Sequence, residues 1–387
     1  MKNVLILVGT RPEVVKMAPV FKELSRNADV SPIFCVTGQH DDMLHQALSA
    51  FDIVPEVNLG VMKPGQSLAN LTSKILKGST SLLEELKPDC ILVHGDTTTA
   101  FAGALAGFYK QVKVGHVEAG LRTYDLAAPF PEEANRQLIS RIAEWNFAPT
   151  HESAANLSRE GIRNKSIIIT GNTVVDSLRL MTLRFETEPD FKGKTLASLS
   201  QRMGRDISAQ KLVLVTAHRR ENLESGITGI CKALSLLSRS NTDTCFVFPV
   251  HPNPKVREIV DNELIGENGI CLTEPLPYPE LVLALMMSTL VLTDSGGIQE
   301  ESVTLGKRVL VLRDKTERAE GMASGLLSLA GANSEQIVRE FERISALDAG
   351  RSSLSELNLT YGDGEAARRI SEVIRFGETK NWSGQDA

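Results

Sequence analysis

Residues 1–24 read MKNVLILVGTRPEVVKMAPVFKEL. Val4–Val8 is an unbroken apolar, β-branched run, the mark of a strand buried on both faces. Gly9-Thr10 ends it, and Pro12 suits the first turn of a helix. Met17, Val20, Phe21 and Leu24 then recur at helical spacing. The stretch is therefore a strand, a tight turn and a helix, half of a βαβ unit. It has no signal-peptide form, because the apolar run passes at once into Gly9-Thr10-Arg11-Pro12.

The same alternation continues outward. Strand-like runs fall at Ile33–Thr37, Cys90–His94, Val112–Val117, Trp145–Ala148 and Ile167–Thr170. A second series follows at Leu212–Thr216, Cys245–Val250, Ile270–Thr273, Thr289–Thr293 and Arg308–Leu312. Strands separated by helical stretches predict an α/β fold with parallel sheets. A polar stretch, roughly 186–210, divides the two series. The junction is placed near Val174–Leu180, giving a first domain over 1–175 and a second over 176–362. Residues 363–377 read as a terminal helix joining the first, with Ala366, Ile370, Val373 and Ile374 on one face.

Composition agrees. A chain of 387 residues is too long for one ordinary core. Aromatics are only 5%, so burial falls to Val, Ile, Leu and Ala. A net charge of −6 argues against a protein built to grip nucleic acid. The five cysteines include no C-x-x-C pair and read as buried thiols of a reducing compartment. The longest apolar stretch, Leu281–Leu292, is too short to span a bilayer. A cytoplasmic protein without membrane insertion is expected.

Doubly wound sheets bind ligands beyond the carboxyl ends of their strands, and the unusual residues fall there. Gly9-Thr10-Arg11, with Lys16 one turn on, offers free N–H groups and two cations for an anion; it also reads as a plain turn with a solvated Arg. In His94-Gly95-Asp96-Thr97, Asp96 is either a functional carboxylate or a helix cap. In His116-Val117-Glu118-Ala119-Gly120-Leu121-Arg122, an apolar strand ends in Glu118, near Arg122; the plain alternative is a structural ion pair. In Pro131-Glu132-Glu133, acidic residues suit a first helical turn. In the second series, His218, Arg219 and Arg220 follow a strand and suit a phosphate. Ser295-Gly296-Gly297 opens a helix where backbone N–H groups can approach a pyrophosphate, and Glu301, about one turn on, is placed to take ribose hydroxyls. There is no G-x-G-x-x-G, and no His/Cys/Asp set with metal-ligand spacing. Gly193-Lys194-Thr195 lacks the preceding glycine and strand of a P-loop.

Together the segments GTRPEVVKMAP, TGQH, HGDTTTAFAG, VGHVEAGLRT, PEEANRQL, ITGNTVVDSL, TAHRREN, FPVHPNP, TDSGGIQEES and TERAEG span nearly the whole chain. In this order they closely resemble the non-hydrolysing UDP-N-acetylglucosamine 2-epimerases. The resemblance implies two Rossmann-like doubly wound domains with an interdomain cleft, as in glycosyltransferases of the B type. It implies a homodimer with a UDP-sugar substrate and no dissociable cofactor. Asp96, Glu118 and Glu132 match the family's acid/base carboxylates, and His218 its phosphate-contacting histidine. Arg11 and Lys16 match basic residues near the diphosphate and sugar. Ser295, Gly296 and Gly297 match the diphosphate loop, Glu301 the ribose-binding acid and Arg318 a residue of the UDP site. Leu281 stands where many members have Phe near the uracil. Asp42 and Gly65 replace residues that help hold a second, activating UDP-sugar in some relatives.

The implied chemistry explains these residue types. Carbon 2 of N-acetylglucosamine is not adjacent to a carbonyl, so its proton is too weakly acidic for simple removal and return. Elimination of UDP to a glycal, followed by re-addition, needs carboxylates tuned as base and acid. It also needs cations and N–H groups for the departing diphosphate, and a closed site, with a hinge expected near Asn172. The rivals are the same chemistry on a modified sugar such as a 2,3-diacetamido uronate, a hydrolysing 2-epimerase, a glycosyltransferase and a non-catalytic UDP-sugar sensor. Hydrolysing relatives usually lack the D-T-T-T, V-E-A-G-L-R-T and P-E-E runs, all present here.

Overall fold

The computed structural model describes residues 1–38, 42–61, 63, 65–207, 210–217, 225–316, 318–346 and 358–384. Val4–Val8 lies in β1 (Lys2–Val8), and all five of its side chains are shielded from solvent. Each such aliphatic side chain contributes roughly 1.5–3 kcal/mol on burial. The helix that follows, α1 (Arg11–Ser25), starts at Thr10, with Pro12 in its first turn.

The chain divides into two compact units, Met1–Leu180 with Tyr361–Ala387, and Met181–Thr360. In the first, seven strands form one sheet: β1, β2 (Val30–Val36), β3 (Val57–Asn58), β4 (Cys90–His94), β5 (Lys113–Val117), β6 (Trp145–Ala148) and β7 (Ile167–Ile169). Their order is β3-β2-β1-β4-β5-β6-β7, and every pairing is parallel. The order reverses between β1 and β4, the position at which such sheets take ligands. Around the sheet run α1, α2 (Asp42–Ala50), α3 (Leu68–Leu86), α4 (Thr98–Tyr109), α5 (Glu132–Ile142) and α6 (His151–Arg159). Helix α7 (Thr173–Thr187) carries the chain into the second unit, where α8 (Pro189–Met203) follows. So the polar stretch between the two series is largely helical. Thr195, Leu199 and Met203 form its buried stripe, and Gly204 ends it in a left-handed conformation.

The second unit repeats the plan. Strands β8 (Lys211–Thr216), β9 (Thr244–Pro249), β10 (Ile270–Thr273), β11 (Ser288–Thr293), β12 (Val309–Val311) and β13 (Leu327–Leu329) lie in the order β10-β9-β8-β11-β12-β13. Its helices are α9 (Ser225–Ser240), α10 (Pro254–Leu264), α11 (Tyr278–Met287), α12 (Gly296–Thr304), α13 (Ala319–Ala323) and α14 (Ser334–Ala346). The apolar stretch Leu281–Leu292 is shared between α11 and β11. Among the described residues no helix is long and apolar enough to cross a membrane. All five cysteines are buried and free.

The last helix, α15 (Ala366–Phe376), belongs to the first unit. Asp176 on α7 accepts hydrogen bonds from the amides of Ala366 (3.3 Å) and Ala367 (2.8 Å) at its start. Arg369 donates to the carbonyl of Thr170 at 3.0 Å.

Candidate active site

Three strand ends of the first unit converge. At the end of β1, Thr10 caps α1 through its extended backbone, and its hydroxyl donates to Glu13 Oε2 at 2.8 Å. Glu13 also accepts from the Gly9 amide (3.1 Å) and from the Thr97 hydroxyl (2.8 Å). It thereby ties the β1–α1 turn to the β4–α4 turn. Burial pushes its carboxyl up to about 7. Pro12 and Arg11 stand outward of it, and Lys16 lies buried one turn on.

Lys16 meets the carboxylate of Glu118, which stands directly after β5. Glu118 has a backbone φ of +63°, a left-handed conformation that side chains other than glycine seldom adopt. Such a residue costs of order 1–3 kcal/mol and persists only where its surroundings enforce it. The enforcement is visible: Asn172 Nδ2, just beyond β7, lies 3.5 Å from Glu118 Oε1, and His94 Nε2 lies 3.7 Å from Oε2. Gly95 beside it has a φ of +64°, the left-handed conformation that favours glycine. Burial holds the His94 imidazole down at about 4 and that of His116 at about 3. Both rings are therefore neutral near pH 7, and the His116 Nε2–H donates to the Gly95 carbonyl at 2.7 Å.

Asp96 is not a helix cap. Thr97 fills that place, its Oγ1 accepting from the Ala100 amide at 3.0 Å. The Asp96 carboxylate instead faces Arg136 of α5, at 2.6 Å. Burial raises the Asp96 carboxyl above the usual carboxylate range. Arg136 opposes that rise, and the negative charges of Glu118 and Glu132 add to it. Glu132 opens α5 behind Pro131 and remains partly exposed. Arg122 departs from expectation. It does not serve Glu118 but forms a two-pronged pair with Glu160 of the loop after α6, at 2.6 and 3.0 Å. The turn after Glu118 directs the two side chains apart.

In the second unit, Ser295 caps α12 without using its hydroxyl. The Thr293 hydroxyl takes the Ser295 amide at 2.9 Å and meets that of Thr216, at the end of β8, at 2.6 Å. A Cβ at Gly297 would touch nothing within 4 Å. Internal packing does not demand that glycine, and the helix start is bare there. Glu301 is buried within α12. Arg318 is buried and paired with Glu300 at 2.8 Å, and Thr316 donates to Gln299 at 2.7 Å, so the segment after β12 is tied to α12. His218 and Arg219 lie outside the described residues. Among the described residues no cluster of three or more His, Cys, Asp or Glu side chains is arranged to hold a metal ion.

A family model described as UDP-N-acetylglucosamine 2-epimerase matches residues 22–375. The chain belongs to this family. The UDP-N-acetylglucosamine 2-epimerase of Campylobacter jejuni is 44% identical over 377 residues, covering 97% of this chain and 98% of the relative. The crystal structure of the Neisseria meningitidis enzyme bound to UDP-GlcNAc superposes with a TM-score of 0.89 at 42% identity, covering 97% of this chain and 100% of that one. A glycosyltransferase of Rickettsia africae, only 12% identical, shares the fold, with a TM-score of 0.58 over 97% of this chain and 99% of its own.

Against this epimerase fold, the sequence reading assigned no site role to Glu13, Asn172 and Arg136 in the first unit or to Glu300 in the second. Glu13 carried a signal, an acid one turn into a helix where the β1 end needs an acceptor. So did Arg136, four residues after Glu132 and hence on the same helix face.

Proposed function

We propose that this chain catalyses the reversible C2 epimerisation of UDP-N-acetylglucosamine to UDP-N-acetylmannosamine. The route is elimination of UDP to a glycal and re-addition. The observation that carries this reading is the carboxylate cluster at the β1, β4 and β5 ends. Glu118 is held left-handed against Lys16, and Asp96 is raised by burial and by Glu118 and Glu132. A relative 42% identical to this chain binds UDP-GlcNAc.

In the proposed step a carboxylate takes the C2 proton as the C1–O bond breaks. The C–H electron pair becomes the C1=C2 double bond, and the C1–O pair leaves with UDP. On return, UDP adds to C1 and a proton is delivered to the opposite face of C2. Asp96, Glu118 and Glu132 share the proton transfers, and Asp96, whose carboxyl is raised by burial, is suited to act as either acid or base. Lys16 and Arg11 offset developing negative charge. Ser295, Gly296 and Gly297 present amides to the diphosphate, with His218 and Arg219 assigned to the same phosphates. Glu301 takes the ribose hydroxyls, and Arg318 supports the UDP segment. The family resemblance also supports a homodimer, and five buried free thiols fit a cytoplasmic, reducing setting.

The test is incubation with UDP-N-acetylglucosamine in D2O, followed by NMR. Deuterium at C2, UDP still attached and the manno epimer appearing are expected. Free N-acetylmannosamine with UDP, or no exchange in protein that binds UDP, overturns the reading. Asp96→Asn, Glu118→Gln and Glu132→Gln should each lower turnover by roughly 10²–10⁴-fold while UDP binding persists. Normal turnover in all three would refute the assignment.

A further inference from the structure

The first turns of α5 carry more than Glu132. Glu133 is completely buried and accepts from the amides of Thr123 (3.0 Å) and Tyr124 (3.2 Å) and from Gln137 Nε2 (2.8 Å). Those bonds fix the turn after Gly120, where Tyr124 has a φ of +61°. One turn on, Arg136 Nη1 lies 3.4 Å from Glu133, and Nη2 donates to Asp96 Oδ2 at 2.6 Å. The neighbouring Asn135 donates to the Asp96 backbone carbonyl at 2.9 Å. Helix α5 therefore grips Asp96 at both its side chain and its main chain, from an arginine itself braced by a buried acid.

We propose that Arg136 is the positioning residue for Asp96, and that the chain Glu133–Arg136–Asp96 holds that carboxylate in one orientation and one charge state for proton transfer. This rests on the role given to Asp96 above. A planar guanidinium bridges two carboxylates in fixed geometry, which an ammonium does not reproduce. The charged groups facing Asp96 are Arg136 and Glu132 from α5 and Glu118 from the end of β5, with Lys16 of α1 beyond Glu118. Glu118, Glu132 and burial all favour the protonated carboxyl, and Arg136 is the cation set against them. Without it, Asp96 keeps its proton to higher pH. Whichever limb of the kcat–pH profile Asp96 governs then moves upward.

The experiment measures kcat against pH for the full chain and for Arg136→Gln, Arg136→Lys and Asp96→Asn, with UDP binding as the check on the fold. Arg136→Gln should lower kcat by roughly tenfold or more and move one limb up by about one pH unit, as expected when an opposite charge within contact is removed. Arg136→Lys should return the limb to its wild-type position but not the rate. The Asp96→Asn residual rate should lack that same limb. A rate loss in Arg136→Gln with no movement of either limb makes Arg136 merely structural and overturns the inference. Should Arg136→Gln fail to fold, wild-type kcat in Arg136→Lys overturns it. Full activity in Asp96→Asn instead overturns the role given to Asp96, which separates the two failures.

Discussion

Replacing Glu13 by Gln tests the electrostatics of the first unit most directly. Glu13 is almost completely buried, and its carboxyl is pushed from the ordinary 4.5 to about 7, chiefly by burial. A folded-state value above the unfolded one means that the folded chain binds the proton more tightly. Stability is then fully present below pH 4.5 and is lost as pH rises through 7. Each pH unit between the two values is worth about 1.4 kcal/mol, so ionising Glu13 costs the fold on the order of 3 kcal/mol. Gln fits the same contacts. Its oxygen accepts from the Gly9 amide and the Thr10 hydroxyl, and its amide donates to Thr97 Oγ1, which still takes the Ala100 amide. The assay is urea unfolding of the whole chain at pH 4–9, followed by tryptophan fluorescence. The chain's two tryptophans, Trp145 and Trp382, both lie in the first unit, so the signal reports that unit alone. Titrations common to both proteins cancel in the difference. The variant should gain on wild type by on the order of 3 kcal/mol between pH 4 and pH 8.5, a relative midpoint shift of roughly 1 M urea or more. A difference independent of pH would refute a carboxyl that is costly to ionise in the fold.

Two further outcomes follow from local geometry. Gly120 has a φ of +95°, and a Cβ there would stand 2.2 Å from the Ser153 carbonyl oxygen. Gly120→Ala should therefore destabilise the first unit by about 3 kcal/mol, from left-handed strain together with overpacking against backbone; an unchanged unfolding midpoint would contradict this. Asp176→Ala removes the acceptor shared by the Ala366 and Ala367 amides. Amide exchange should then rise over α15, with a loss of about 1–3 kcal/mol, and undiminished protection there would count against that anchoring role.

The fold was legible because parallel strands buried on both faces write themselves as unbroken apolar runs, as Val4–Val8 does. The strands that escaped notice, Val57–Asn58 and Leu327–Leu329, are two and three residues long and lie at sheet edges. Neither is long enough to show a period. Helix α8 was hidden differently: its buried stripe Thr195, Leu199, Met203 is four-spaced but narrow, inside a stretch of mixed polar and charged residues. At the candidate site, strand ends marked where to look but not which groups meet. Arg122 stands four residues from Glu118 and serves Glu160 instead. Lys16 stands 102 residues from Glu118 and touches it. The left-handed backbone of Glu118 had no signature at all, since glutamate has no preference for that conformation.

The acidic residues of this first unit show why identity alone underdetermines role. Glu132 and Glu133 are adjacent and chemically equal. One opens the helix partly exposed; the other is buried under two backbone amides and holds a turn. Glu13 and Glu118 each follow a strand end within a few residues. Glu13 faces hydroxyls and an amide, which hydrogen-bond a carboxyl without neutralising it, and its proton is retained toward pH 7. Glu118 contacts a lysine; Asp96 meets an arginine that favours its ionised form, while burial, Glu118 and Glu132 favour its protonated form, so neither state is locked. The distinction between a carboxyl that braces two turns and one fit to exchange a proton therefore lies in its partners. Those partners come from α1 for Glu118 and from α5 for Asp96, two helices whose side chains meet the carboxylates just beyond the carboxyl ends of β5 and β4.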